Sequence, residues 1–340
     1  MLQKCNKRRA ISLAVFSVGD DAAMSLPHRS AGASGLEVST LALGSWQTYE
    51  RIPREQGVAV LEAAREAGID FLEVARYNDQ TGTAPIPTGY SEVVFGEVFA
   101  RSPYAAARDQ VIIAEKLWWE FWPQQDALQE LTASLERTGL ERVDLLYSDP
   151  PPPELPLEQV VAQIGALLAD GRIRAWGIVN WPADRVAEAG RIALDTGVET
   201  PCLVQLPYSL VNRDWVEGAE MVAALELCDA SVTASWTLAG GLLSGKYARG
   251  QSGRMDRERD DPQWAGALQA ADDLQTLADE LETTPAALAI AWALNNPTVA
   301  TVLFGATRPE QVVENATAPA LLERLDEEQL ARLEAIGTGS

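Results

Sequence analysis

The stretch RVDLLYSDPPPPE, Arg142–Glu154, is an apolar run that halts at an aspartate and meets four consecutive prolines. Proline offers no amide hydrogen to a ladder, so a strand written here must end at Asp149. That residue stands at a carboxyl-terminal strand end, the place where ligand sites of parallel α/β proteins gather. The rest of the chain repeats the pattern. STLALGSW, DFLEVA, QVIIAEK, IRAWGIVN, PCLVQLPYS, SVTASW and TVLFGA are further short apolar runs. Between them lie amphipathic segments such as REQGVAVLEAAREA and PLEQVVAQIGALLAD, with apolar positions three and four apart. Near-continuous apolar strands alternating with helices specify a parallel sheet covered on its outer face. Eight of them in one chain predict a closed (β/α)₈ barrel over residues 36–340, a TIM barrel, with residues 1–35 as an amino-terminal extension. The rival doubly wound sheet calls for GxGxxG directly after an early strand, and the sequence has none.

Lys plus Arg number 27 against 49 Asp plus Glu, a formal charge of -22. So acidic a surface argues against nucleic acid or an anionic membrane as partner. No stretch reaches the roughly 18 apolar residues of a membrane span. Cys5, Cys202 and Cys228 fit neither a disulfide framework nor a metal-ligand spacing, which points to a reducing, cytoplasmic setting and to no metal. The opening MLQKCNKRRAISLAVFSVGDDAAM puts basic residues before a short apolar run, as a weak secretory leader does, but no cleavage site follows clearly. Met24 is a second plausible start. His28, the only histidine, precedes the barrel and is expected at the surface.

Strand ends supply Trp46, Glu73, Lys116, Asp149, Asn180, Gln205 and Trp236. Lys116 closes VIIAEK, where burial demands a carboxylate partner or a depressed pKa, and Glu73 and Asp149 stand at neighbouring strand ends. The three form either a polar reaction centre or a structural ion pair at the rim. Trp46, Tyr77, Trp118, Trp119, Phe121, Trp122 and Trp181 cluster near the same rim, as core filling or as the wall of a planar-ligand pocket. Two long polar loops, residues 78–92 and 244–266, leave from that face. Arg308 precedes Pro309 at the start of a helix, next to the Gly-rich loop Gly240–Gly245. Two adjacent anion-friendly loops suggest a phosphate-bearing ligand.

In barrel order the chain carries GIDFLEVARYN with GYSEVVFGE, VIIAEK, TGLERVDLLYSD, GRIRAWGIVN, VQLPYSLVNR, LAGGLLSGKY and FGATRPEQVVEN. On these motifs, from Leu36 to about Gly337, it resembles the aldo/keto reductase superfamily. The resemblance implies a (β/α)₈ barrel that binds NADP(H) at its carboxyl-terminal mouth and reduces a small carbonyl substrate or oxidises the matching alcohol. In that family a tyrosine donates the proton, helped by an aspartate, a lysine and a histidine. Those positions fall here on Asn78, Glu73, Lys116 and Asp149, so lysine alone is kept. Tyr77 lies one residue from the donor position and would reach the site only through a local slip or bulge. Asn78 can hydrogen-bond but has no proton to give at neutral pH. An ionised Asp149 would repel the forming alkoxide, whereas a neutral one could serve as an acid.

The same resemblance puts Asn180 and Gln205 on the nicotinamide carboxamide. Ser235, with Trp236 beside it, and Trp46 fall around the ring. Leu238, Gly240, Leu242 and Ser244 fall on the pyrophosphate, and Arg308, Gln311, Glu314 and Asn315 on the adenosine side. Arg308 suits a 2'-phosphate, which favours NADP(H) over NAD(H). The leading expectation is an NADP(H)-dependent oxidoreductase with an unusual proton source. The alternatives are a catalytically inactive NADP(H)-binding sensor or partner-binding protein, and a non-redox acid/base enzyme built on Glu73, Lys116 and Asp149.

Overall fold

The computed structural model describes residues 26–74, 76–77, 84–86, 88–247, 255 and 261–338. Strands β1 (His28–Ser30) and β2 (Glu37–Ser39) form an antiparallel hairpin. Eight parallel strands follow: β3 (Leu41–Gly44), β4 (Phe71–Glu73), β5 (Ile112–Leu117), β6 (Leu145–Ser148), β7 (Ala175–Val179), β8 (Leu203–Pro207), β9 (Ser231–Ser235) and β10 (Val299–Phe304). Each pairs with the next, and β10 returns to β3, so no edge is left open and the barrel is closed. All eight apolar runs of the sequence become barrel strands. The long runs are trimmed at their ends, where the chain turns out of the ladder.

The hairpin spans residue 36, the expected start of the barrel. The hairpin begins at His28 and packs against the amino-terminal ends of the late strands. Arg29 donates to the Leu294 carbonyl at 2.9 Å and to that of Val299 at 2.5 Å. A Cβ on Gly32 would stand 2.6 Å from the Cys202 carbonyl oxygen. HRS and EVS carry too few apolar residues to read as strands, because pairing and docking hold them rather than a buried face. His28 meets Asp70 at 2.6 Å here, at the end of the barrel away from the strand exits. Residues 1–25 lie outside the described residues.

Alternation decides what faces the barrel axis. Phe71, Ile112, Ala114, Leu145, Tyr147, Ala175, Val179 and Leu203 form one buried cluster, the filling of the barrel. Their neighbours Leu72, Ile113, Leu146, Trp176 and Val204 join the larger core beneath the helices. The helix Pro285–Asn295 is buried from Pro285 to Leu294, and Thr284 caps it by accepting from the Ala287 amide at 3.1 Å. Continuing the alternation to the carboxyl-terminal ends brings Glu73, Lys116, Asp149, Gln205 and Ser235 to the inner mouth. The site is a consequence of strand register.

Gly177 in β7 lies beside the Tyr147 ring of the adjacent strand β6. A Cβ there would lie 2.5 Å from the Leu203 carbonyl oxygen and 2.7 Å from the ring, inside the closest approach of real atoms. Gly177→Ala is therefore expected to destabilise the fold by about 1–3 kcal/mol, read as a lowered urea midpoint with an unchanged slope.

Candidate functional site

A cavity of about 800 Å³ opens at the carboxyl-terminal ends of the strands. One end is walled by Glu73, Lys116 and Asp149, with Trp46, Asn180, Gln205, Ser235 and Trp236 beyond them. The cavity then runs past Leu238, Gly240 and Ser244 to Arg308, Gln311, Glu314 and Asn315. Fifteen of the eighteen residues expected from the sequence thus share one wall. Leu242 does not reach it, because its side chain is buried in the core beneath the loop. Asn78 lies outside the described residues.

Tyr77 is the main departure from expectation. It is buried but off the cavity wall. Its hydroxyl donates to the Glu50 carboxylate and accepts from the Gln47 amide at 2.9 Å. The one-residue offset from the family donor position is not repaired by a slip, because two partners of the segment after β3 hold the phenol.

Lys116 forms a buried ion pair with Glu73, so the carboxylate partner demanded by its position is the one from the preceding strand. Asp149 is half-buried. Burial raises its pKa to about 6; Glu73 and Glu130 add to the rise, and Lys116 and Arg76 oppose it. Arg76, which sequence reasoning missed, lines the same end with its side chain 1% exposed. It pairs with Glu130 at 2.9 Å and with Glu120 at 3.4 Å, and its guanidinium sits 5.7 Å from the Trp118 ring centroid. Glu130 also accepts the amides of Trp118 and Trp119, at 2.7 and 3.0 Å. Its pKa is raised by burial against the pull of Arg76 and those amides. An arginine just after a strand end carries no sequence signal of burial. Its partner lies 54 positions away, on another element.

Backbone strain collects at this face. Gln47, Trp119, Asn180, Trp236 and Ala239 have φ values of 50°, 56°, 56°, 57° and 46°, in the left-handed region that side chains disfavour. All five follow the ends of β3, β5, β7 and β9. Strain concentrated at a strand-end rim marks a surface shaped for binding. At Asn180 and Trp236 it turns the side chain onto the cavity wall immediately after the ladder ends.

The wall fits a nicotinamide dinucleotide phosphate. Gln205 Oε1 is buried without a hydrogen-bond partner beside Asn180, and an acceptor so placed suits the amide hydrogens of a carboxamide. Trp46 and Trp236 stand with ring centroids 6.0 Å apart and a 51° tilt, offering apolar faces to a ring. Gly240 and Gly241 adopt φ values of 68° and 97°, and a Cβ on either would press on Met255 or Lys246. They leave bare backbone where a pyrophosphate would pass. Lys246 is a further wall residue that sequence reasoning passed over. Arg308 is exposed at the start of the helix Pro309–Ala316, and no ion pair engages it among the described residues. A helix start with a forked cation suits a terminal phosphate.

Asp149 holds its proton more tightly folded than unfolded, since burial lifts its pKa from 3.8 to about 6. The associated stability is fully present below about pH 4 and is lost as the pH rises through about 6. Asp149→Asn is expected to raise the melting temperature at about pH 7.5 by roughly 2–4 °C, the response of a large domain to about 1 kcal/mol, with the difference vanishing near pH 4. An equal effect at both pH values in differential scanning calorimetry would contradict the assignment.

Residues 40–338 match the aldo/keto reductase family. A putative voltage-gated potassium channel subunit beta of Schizosaccharomyces pombe is 29% identical over 92% of this chain and 93% of its own. A probable voltage-gated potassium channel subunit beta of Oryza sativa is 29% identical, with 92% and 96% covered. One from Arabidopsis thaliana is 27% identical, with the same coverage. With eight motifs in barrel order, a closed eight-stranded barrel and a family match across its length, the chain belongs to the aldo/keto reductase family.

Proposed function

We propose that this protein binds NADP(H) in the mouth cavity and works as a nicotinamide-dependent sensor or partner-binding barrel, with carbonyl reduction weak or lost. The observation that carries the reading is the contrast between the two ends of the cavity. The phosphate end keeps Arg308 and the bare Gly240–Gly241 backbone, and the ring between the two ends keeps the Gln205 acceptor. The reacting end lacks a poised proton donor among the described residues.

Bound nicotinamide supplies a hydride. An alkyl carbonyl that accepts it becomes an alkoxide, which must take a proton within hydrogen-bond reach. Tyr77 donates its hydrogen bond to Glu50 and is off the wall. Lys116 is committed to Glu73. Asp149 is about nine-tenths ionised at neutral pH and would repel a forming anion. Asn180 and Gln205 orient the carboxamide, and the aromatic wall excludes water from the ring. The relatives named as channel β subunits support a partner-binding role for such a barrel. Among the described residues no helix is long and apolar enough to cross a membrane.

A second reading, reduction with Asp149 as the acid, is favoured by its pKa of about 6. It requires turnover that rises as the pH falls below that value and disappears in Asp149→Asn.

Fluorescence titration tests the main reading. NADPH is expected to quench tryptophan emission saturably, with NADH weaker. Arg308→Ala should weaken NADPH by roughly 10–100-fold, as loss of one charge-assisted phosphate contact does, and leave NADH unchanged. Equal loss for both nucleotides would remove Arg308 from the 2'-phosphate. No saturable binding of either would sink the cofactor reading and turn attention to acid/base chemistry at Glu73, Lys116 and Asp149.

A further inference from the structure

Among the described residues Asp149 is the carboxylate at the reacting end that no ion pair engages. β4 and the segment after it bring Glu73 and Arg76, β5 brings Lys116, and the helix Ala127–Thr138 brings Glu130. Glu73 pairs with Lys116, and Arg76 pairs with Glu130 and, more distantly, with Glu120. These opposite charges neutralise one another within the wall, and the second contact of Arg76 adds negative character. The backbone of Asp149 is fixed: its amide donates to the Leu117 carbonyl at 2.9 Å. Among the described residues no hydrogen bond or ion pair holds its side chain, which lines the cavity one strand from Asn180 and two from Gln205.

The two forms of the nicotinamide ring differ by one unit of charge at this end of the cleft. The oxidised ring is a pyridinium cation and the reduced ring is neutral, while the phosphates are the same in both. We propose that Asp149 makes the cleft discriminate between these forms, holding NADP⁺ in preference to NADPH while its carboxylate is ionised and losing that preference once protonated. A half-buried carboxylate attracts a nearby cation more than it would in water, by an amount that corresponds to about a tenfold change in affinity. By reciprocity, bound NADP⁺ pulls the Asp149 proton off. The crossing point falls near pH 6, within the range a cell can visit. Lys116 and Arg76 act on the ring alike whether Asp149 is protonated or ionised, so they leave the difference between the two states of Asp149 in place.

This inference rests on the cofactor reading, and one experiment separates the two. Dissociation constants of NADP⁺ and NADPH are measured by calorimetry for the full chain between about pH 5.5 and pH 8, and their ratio is followed. The 2'-phosphate titrates in the same range but is common to both ligands, so it cancels from the ratio. The wild-type preference for NADP⁺ is expected to grow about threefold across that range, the alkaline part of a roughly tenfold span whose acid limit lies near about pH 4, and Asp149→Asn should hold one flat ratio throughout. Asp149→Ser repeats the test if the asparagine variant does not fold. A flat wild-type ratio, or a slope that survives both variants, overturns the role of Asp149 while leaving cofactor binding in place. Failure of both nucleotides to bind removes the cofactor reading and this inference with it.

Discussion

A charged lysine inside a barrel requires a carboxylate, and the arrangement of the mouth follows from Lys116 having Glu73. Each ion alone would cost several kcal/mol to desolvate, and truncating one partner of a buried pair typically costs about 3–5 kcal/mol. Strand register brings the two together. Lys116 is the third inward residue of β5 after Ile112 and Ala114, and Glu73 is the second of β4 after Phe71. β4 pairs Glu73 with Ala114 of β5, one inward position below Lys116. A one-residue slip of either strand would drive a charge into the apolar layer under the helices. The pair therefore fixes register, and register sets every other side chain on the wall.

Behind that wall runs a second polar layer facing the helices. Glu115, the outward neighbour of Lys116, is buried, and burial together with Glu92 pushes its pKa well up. Glu92 pairs with Arg137 across two helices. Arg76 and Glu130 tie the loop after β4 to the helix that follows β5. These contacts hold the strand ends rigid beneath the cavity. They also engage the cations of this region with structural carboxylates, and so no ion pair engages Asp149 among the described residues. In a chain of net charge -22, the exposed cation at the far end, Arg308, is correspondingly conspicuous to an anion.

The barrel was legible because its strands are buried on both faces and so read as continuous apolar runs. The hairpin His28–Ser39 was not, since its stability comes from pairing and from capping the barrel floor with polar residues. Lys116 announced itself by ending an apolar run, and the choice of Glu73 over Asp149 as its partner needed coordinates. Arg76 left no trace in the sequence, because its burial depends on Glu130, an element away. The fate of Tyr77 depended on Glu50 and Gln47, which no motif links to it. Motifs put Leu238, Gly240 and Ser244 at the site and they line the cavity, yet the motifs could not tell that Leu242 turns inward within the same segment. Local chemistry is written along the chain, whereas partner choice among buried charges is a property of the closed barrel.

The central claim is that a cofactor cleft has been kept while the proton delivery that carbonyl reduction needs has not. Single-turnover mixing tests it most directly: protein loaded with one equivalent of NADPH is mixed with a large excess of a reactive aldehyde near neutral pH, and the emission of the bound reduced nicotinamide is followed. The account predicts that the bound NADPH persists, decaying no faster than without aldehyde. Rapid, aldehyde-dependent loss of the emission with stoichiometric alcohol formed would contradict it, and would mean that a proton does reach the alkoxide, from Asp149 or by a route outside Tyr77 and Lys116.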